Sequence, residues 1–216
     1  MTDADWPGIL DPDALNPERV DAADRLADAA KANDWQAVFA LLDVPTRADV
    51  NQWRIGGSSW FAPLHQAAFL GAPAGVVEDL LRRGAWRSLR NADGDRPIDL
   101  AEKRGHRHLL DALAVHTPDD RERRRFAAWD RHLLALIAER IARLDPVRFR
   151  PVPTEVIALE RFETLWFGYP GMYGGFGMSI HRGRVFVESW SRVVGGSGQA
   201  HVITEDGCVL VEEGFV

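Results

Sequence analysis

Residues 60–113 contain one pattern twice. Residues 63–68 are Pro-Leu-His-Gln-Ala-Ala, and residues 97–101 are Pro-Ile-Asp-Leu-Ala. The same offset of 34 residues separates Gly71 from Gly105. A fixed period near 33 residues, with proline, histidine and alanine at set positions, is typical of stacked two-helix repeats. The stretch therefore predicts a short helical solenoid.

The stretch resembles the ankyrin repeat family, and the resemblance implies about three repeats within residues 16–116. The first repeat is degenerate and has Asn33 in place of the usual turn glycine, as suits an N-terminal cap. The family's turn begins with threonine, but this chain has Ala62 and Arg96 there. Asp99 replaces the family's histidine. We expect these departures to weaken the turns by about 1 kcal/mol each.

The regions outside the repeats have a different character. Residues 1–15 are acidic and carry proline and glycine, so we expect an N-terminal tail. In residues 117–145, apolar residues at steps of three or four predict an amphipathic helix of about 27 residues that caps the last repeat. Residues 150–216 predict a small α+β domain with an antiparallel sheet. The expected fold class is therefore mainly α.

The predicted α+β domain rests on short apolar runs with strand-like composition. A short helix is expected from Thr154 to Glu160. Residues 181–183 and 205–207 have the composition of tight hairpin turns. The predicted strands are residues 164–167, 176–180, 184–188, 200–203 and 208–211.

Composition limits the class of protein. The net charge of −6 disfavours non-specific nucleic-acid binding, and no apolar run approaches the length of a membrane span. Cys208 is the single cysteine, which fits a reducing compartment. No secretory signal is recognisable. Lys31 and Lys103 are the only lysines beside 24 arginines, a bias typical of a GC-rich bacterial genome. We expect a cytoplasmic bacterial protein.

The resemblance implies a non-enzymatic protein that binds a partner protein through its turns, called fingers, and the exposed face of each first helix. Residues 52–61 are about three residues longer than the equivalent later gap, and they predict an enlarged, hairpin-like finger. Tryptophan and arginine are frequent anchors of interfaces. The predicted partner-binding residues are Trp53, Arg54, Trp60, Phe61, Phe69, Trp86, Arg87, Leu89, Arg90 and Arg104. The alternative is that Trp53, Trp60 and Phe61 fold onto the helices or onto the C-terminal domain.

The histidines and glycine-rich segments do not form a recognisable catalytic constellation. The resemblance implies a structural role for His65 in its turn. His106 and His108 point apart on a helix, so we expect neither a metal nor a cofactor. Residues 195–198, Gly-Gly-Ser-Gly, lack the lysine of a phosphate-binding loop and are better explained as a strand connection.

A second hypothesis makes the C-terminal domain a small-ligand-binding or catalytic module that the repeats position. Its loops could bring five side chains into one pocket, with His201 as a general base and Arg192 or Gln199 holding an anion. The pocket candidates are Tyr173, Trp190, Arg192, Gln199 and His201. The alternative is that Trp190 is core and the polar residues lie on a sheet face. The domain resembles extensions of other bacterial ankyrin repeat proteins, and that resemblance implies no activity.

Overall fold

The computed structural model describes residues 2–44, 48–160, 162–192 and 198–214. The chain divides into two compact units. We call residues 10–116 the helical unit, and residues 1–9 together with 117–216 the sheet unit. Within the described ranges, no helix combines the length and the apolarity that crossing a membrane requires.

The helical unit is a row of helix pairs. Helix α1 packs against α2 and α3, and α3 packs against α4 and α5. The third pair is completed by a short 3₁₀ helix and α6, which pack against α5 and α4. The bounds are α1 Pro17–Lys31, α2 Trp35–Leu42, α3 Pro63–Leu70, α4 Ala74–Arg82, α5 Pro97–Arg104 and α6 Leu110–Leu113, with 3₁₀ helices at Pro12–Ala14 and Arg107–Leu109.

The first helices of the second and third pairs begin and end in the same way. The residue before Pro63 and the residue before Pro97 have nearly the same dihedral angles, φ −79° and ψ 166° against φ −80° and ψ 164°. A proline fits the first helical position because its nitrogen has no hydrogen to leave unpaired. Gly71 and Gly105 end the helices in the left-handed region, which glycine adopts without strain. The repeated sequence therefore produces two copies of one local structure.

The turn before α5 is held by a different set of bonds from the turn before α3. Asp99 accepts a hydrogen bond from the backbone N–H of Arg96 at 2.8 Å, as His65 does from Ala62 at 3.3 Å. The Asp99 carboxylate also pairs with the Arg96 guanidinium. Burial alone would raise the pKa of Asp99, but the hydrogen bonds from Arg96 hold it below the ordinary value. The expected weakening of this turn is thus offset by bonds that the sequence pattern did not reveal.

Hydrogen bonds couple each repeat to the next. The side chain of Asn51 donates to the carbonyl of Gly84 at 3.0 Å and accepts from the backbone N–H of Trp86 at 2.8 Å. The Nε2 atom of His65 lies 3.0 Å from the carbonyl oxygen of Leu89. These bonds satisfy buried polar groups between the repeats. The core behind them includes Leu26, Val38, Leu64, Leu80, Leu109 and Leu113.

The sheet unit is built on six strands that lie side by side in chain order. Strand β1 is parallel to β2, and every later pair is antiparallel. Helix α7 packs against β5 and β6, and α8 packs against β3. The bounds are β1 Thr2–Asp5, α7 Asp120–Ile141, α8 Thr154–Leu159, β2 Phe162–Gly168, β3 Gly175–His181, β4 Arg184–Trp190, β5 Gln199–Ile203 and β6 Cys208–Glu213.

The mainly α fold class is wrong. The described residues are 42% helical in eight α-helices, and a six-stranded mixed sheet accompanies them. All five predicted strands are confirmed within one to two residues at each end. The sheet is mixed because residues of the expected N-terminal tail form β1. Trp6 follows this strand and donates its indole N–H to the carbonyl of Arg150 at 2.9 Å.

Two further predictions need correction. The long helix has 22 residues instead of about 27, because it ends at Ile141, before Asp145 and Pro146. The described segment 48–62 contains turns and bends but no strand, so the enlarged finger is not a β-hairpin. That α7 caps the last repeat stays a prediction.

Candidate functional site

An open cleft of about 830 Å³ lies within the helical unit. Its floor comes from α1, α3 and α5, the first helices of the three pairs, and its wall comes from residues 57–61 and from Asp93 and Asp95. We call it the first-helix cleft. Because the three helices pack side by side, the cleft takes side chains from every repeat. A concave surface of this kind is the usual place for a ligand or a partner.

The wall of the first-helix cleft is held by polar contacts. Arg54 pairs with Asp28 of α1, and its Nη1 atom lies 3.5 Å from Oδ1 of Asp24. The carbonyl of Ser59 accepts a hydrogen bond from the backbone N–H of Ala92 at 3.0 Å. The first finger is therefore fixed on one side to α1 and on the other to the next turn.

Trp60 has an unusual backbone conformation in this wall. Its φ is +53°, in the left-handed region that bulky residues rarely adopt. Strained backbone of this kind is concentrated at ligand-binding and active sites. Phe61 follows it and contacts Phe69 of α3 edge to face, with ring centroids 5.8 Å apart. The wall thus presents two adjacent aromatic side chains above the floor.

Half of the predicted partner-binding residues lie together. Those lining the first-helix cleft are Arg54, Trp60, Phe61, Phe69 and Arg104. The guanidinium carbon of Arg104 is 3.8 Å from the ring centroid of Phe69, which places a cation over an aromatic face at the floor.

The other half lies elsewhere. Trp53, Trp86 and Leu89 are buried, so the prediction that they contact a partner is corrected. The burial of Trp53 favours the alternative explanation, in which this side chain folds inward. Arg87 donates to the carbonyl of Ala112 at 2.8 Å, and Arg90 donates to the carbonyl of Gly94 at 2.8 Å. Arg87 therefore bonds to the backbone of α6, whereas Arg90 bonds within its own turn.

Several cleft residues were not predicted from the sequence. Lys31, at the end of α1, lines the floor. Lys103 of α5 lines it as well, on the helix face where the resemblance implies partner contacts. Asp93 and Asp95 line the wall. The degenerate first repeat hid Lys31, because it has no Pro-Leu-His turn from which to count positions. The rarity of lysine was the available signal, since the chain's only two lysines both line this cleft.

His65, His106 and His108 of the repeats each lie within hydrogen-bond distance of a backbone carbonyl. The structural role of His65 is confirmed by its bonds to two neighbouring turns. The Nε2 atom of His106 lies 3.2 Å from the carbonyl oxygen of Phe69, and that of His108 lies 3.1 Å from the carbonyl oxygen of Ala72. These contacts join the third repeat to the second.

The described residues do not bring the five pocket candidates of the C-terminal domain to one side of the sheet. His201 pairs with Val187 and Gln199 pairs with Ser189, so both lie on the buried face of the sheet. Trp190 is the next residue along β4 and points to the opposite face, where it packs against Trp166. The other two candidates, Tyr173 and Arg192, are exposed in connections beyond the strand ends. Residues 193–197 of the glycine-rich segment lie outside the described residues.

His201 is poorly placed to act on a substrate. Only 8% of its surface is exposed. Burial, and next the positive charge of Arg140, lower its pKa below the ordinary value, although Glu139 opposes the shift. Arg140 itself donates a hydrogen bond from Nε to the hydroxyl of Ser189 at 3.1 Å. This polar cluster lies beneath α7 and does not include Trp190.

The search of protein-family models returned no match to the chain. Within the residues that the structure describes, no group of three or more histidine, cysteine or acidic side chains is arranged to hold a metal ion.

Proposed function

We propose that this chain is a non-enzymatic, ankyrin-type recognition protein that binds a partner protein in the first-helix cleft. One observation carries the proposal. The cleft collects aromatic and cationic side chains from three successive first helices and from the finger that breaks the period. Tryptophan, phenylalanine and arginine are the residue types that anchor protein interfaces.

The ankyrin-type assignment is supported by the repeated local geometry. Two helix starts with matching dihedral angles and two left-handed glycine ends recur at the 34-residue offset. The hydrogen bonds of Asn51 and His65 link successive repeats, as expected of a solenoid in which each repeat contacts its neighbours. A bacterial, cytoplasmic setting is part of the same proposal, supported by the arginine-rich composition and by the single cysteine.

A selection from a random-peptide display library tests the proposal. The full chain is the target, and each selected peptide is then measured against Trp60→Gly. Glycine tolerates the positive φ of this position, so the variant removes the indole ring from the wall without backbone strain. We expect binding to fall by at least about tenfold, as for loss of an aromatic anchor. Circular dichroism verifies that the variant remains folded.

Tyr173→Gly is the matched control. Tyr173 is also an aromatic residue with a positive φ, +48°, but it lies in the sheet unit with 75% of its surface exposed. We expect this variant to bind the selected peptides as the parent does. If instead Tyr173→Gly abolishes binding and Trp60→Gly does not, the proposed function is wrong and the sheet unit is the binding module. A selection that yields no Trp60-dependent peptide also rejects it.

A further inference from the structure

The first-helix cleft is basic, whereas the chain as a whole is acidic. Four cationic and two acidic side chains line the cleft, against a net charge of −6 for the protein. Two of the four cations are already neutralised. Arg54 pairs with Asp24 and Asp28, and Lys103 donates to both oxygens of Asp95 at 2.6 and 2.7 Å.

The other two cations, Lys31 and Arg104, have no acidic partner among the described residues. Arg104 is held by stacking on Phe69. A guanidinium that stacks on a ring keeps its N–H groups at the edge of its plane, where a carboxylate can accept two of them side by side. The site is therefore prepared for an anion that the described chain does not supply.

The spacing of the unpaired cations sets the length of the ligand. Lys31, Leu70 and Arg104 are the last residues of α1, α3 and α5. The axes of packed helices lie about 8–10 Å apart. Because α3 lies between α1 and α5, the distance from Lys31 to Arg104 is about 18 Å. An extended chain rises about 3.3 Å per residue and spans this distance in five or six residues. Leu70 lies between the cations, is 38% exposed and lines the cleft.

We infer that the first-helix cleft binds an extended acidic segment of a partner protein. The segment carries two carboxylates five or six residues apart, which pair with Lys31 and Arg104, and an apolar side chain between them, which packs on Leu70. This inference rests on the proposed function and adds the chemistry of the partner. A nucleic-acid strand is disfavoured, because it carries a phosphate at every nucleotide, whereas the cleft offers two unpaired cations about 18 Å apart.

The peptides that depend on Trp60 provide the first test. We expect them to share two acidic residues at this spacing around an apolar one. Their affinity should fall about tenfold in Arg104→Gln and in Lys31→Gln, the change expected for one charge pair. Arg107→Gln is the matched control, since Arg107 is exposed in the same unit and does not line the cleft. Its affinity should equal that of the parent.

A designed probe makes the test independent of the selection. It is a fluorescent peptide of seven residues with glutamate at both ends, leucine in the middle and serine and glycine elsewhere. The comparison probes replace glutamate by glutamine or leucine by serine, and an oligothymidylate of similar length is included. We expect the acidic peptide to bind tightest and to weaken towards about 1 M salt, where charges are screened beyond about 3 Å.

Lysine labelling locates the bound peptide, because both lysines of the chain line the cleft. An amine-reactive reagent should modify Lys31 readily and more slowly when an acidic peptide is bound. The probe with glutamine in place of glutamate is the reference, and it should leave the labelling rate of Lys31 unchanged.

The outcomes separate the two proposals. Trp60-dependent peptides that are neutral or basic, or that bind Arg104→Gln and Lys31→Gln as tightly as the parent, overturn the acidic-segment inference and leave the proposed function intact. Tighter binding of the oligothymidylate than of the acidic peptide also overturns it, in favour of a nucleic acid. An absence of Trp60-dependent peptides rejects the proposed function itself.

Discussion

Replacing Asp99 by asparagine should lower the free energy of unfolding of the helical unit by about 2 kcal/mol at neutral pH. Oδ2 of the carboxylate accepts the backbone N–H of Arg96 at 2.8 Å and its Nε at 3.1 Å, and Oδ1 accepts a guanidinium N–H at 3.1 Å. In asparagine, the remaining oxygen can still accept the backbone N–H of Arg96. The amide NH₂ group, however, is a donor and would face an N–H donor of the Arg96 guanidinium, so no hydrogen bond forms there. Because the Arg96 side chain is only 9% exposed, water cannot replace the lost bonds well.

The magnitude follows from these contacts. A hydrogen bond to a charged group contributes about 1.5–3 kcal/mol net when it is buried. The Asp99 side chain is 25% exposed, so solvent screens part of its interaction with Arg96. We therefore expect the Arg96–Asp99 pair to contribute about 2 kcal/mol to the free energy of unfolding. The matched control is Arg25→Gln, which removes an exposed ion pair with Asp21 and should cost less than about 1 kcal/mol.

The difference in the free energy of unfolding between the parent and Asp99→Asn should depend on pH. The hydrogen bonds of Asp99 hold its pKa below the ordinary value of 3.8, so its stabilisation is complete above that pH and disappears as the pH falls through the lowered pKa. Urea unfolding at several pH values measures the difference, and hydrogen exchange of peptides from α5 assigns it to the helical unit. A difference below about 0.5 kcal/mol at neutral pH, or one that does not shrink in acid, would refute the assignment of stability to this carboxylate.

The remaining predictions concern Asp130 and Gly8 of the sheet unit, with Gly75 of α4 as a control for the glycine substitution. Burial raises the pKa of Asp130 despite hydrogen bonds from the start of α8, so ionisation of this carboxyl opposes folding as the pH rises. The stability of Asp130→Asn relative to the parent should therefore increase from about pH 4 to pH 7 in urea unfolding; a constant difference would contradict the burial argument. In Gly8→Ala, the added Cβ would clash with Nε1 of Trp6 and would lie 2.8 Å from the carbonyl oxygen of Arg150. We expect a loss of about 1–3 kcal/mol, measured by thermal unfolding. In Gly75→Ala, where the Cβ meets nothing within 4 Å, the protein should be unchanged or slightly more stable.

The tertiary structure decided which side chains reach the surface. Trp53 and Trp60 stand at opposite ends of the same aromatic finger and were predicted together as contacts. One is fully buried and the other lines the cleft. Local sequence cannot separate them, because burial depends on how the finger turns over α1, and the bonds of Arg54 fix that turn. The C-terminal pocket was misplaced for a related reason, since alternation along the strands puts Trp190 and His201 on opposite faces.

The sequence alone determined the repeat and its local geometry. Proline before each first helix and glycine after it act through steric limits on their own residues, so Pro63, Pro97, Gly71 and Gly105 could be interpreted without the rest of the fold. The same holds for the five strands with apolar runs. β1 could not be predicted, since Thr-Asp-Ala-Asp has no strand-like pattern and its partner β2 lies about 160 residues away in the chain.

The cleft is likewise a product of long-range packing. Only when α1, α3 and α5 lie side by side do Lys31 and Arg104 face one space, because no local preference of the chain relates residues that far apart.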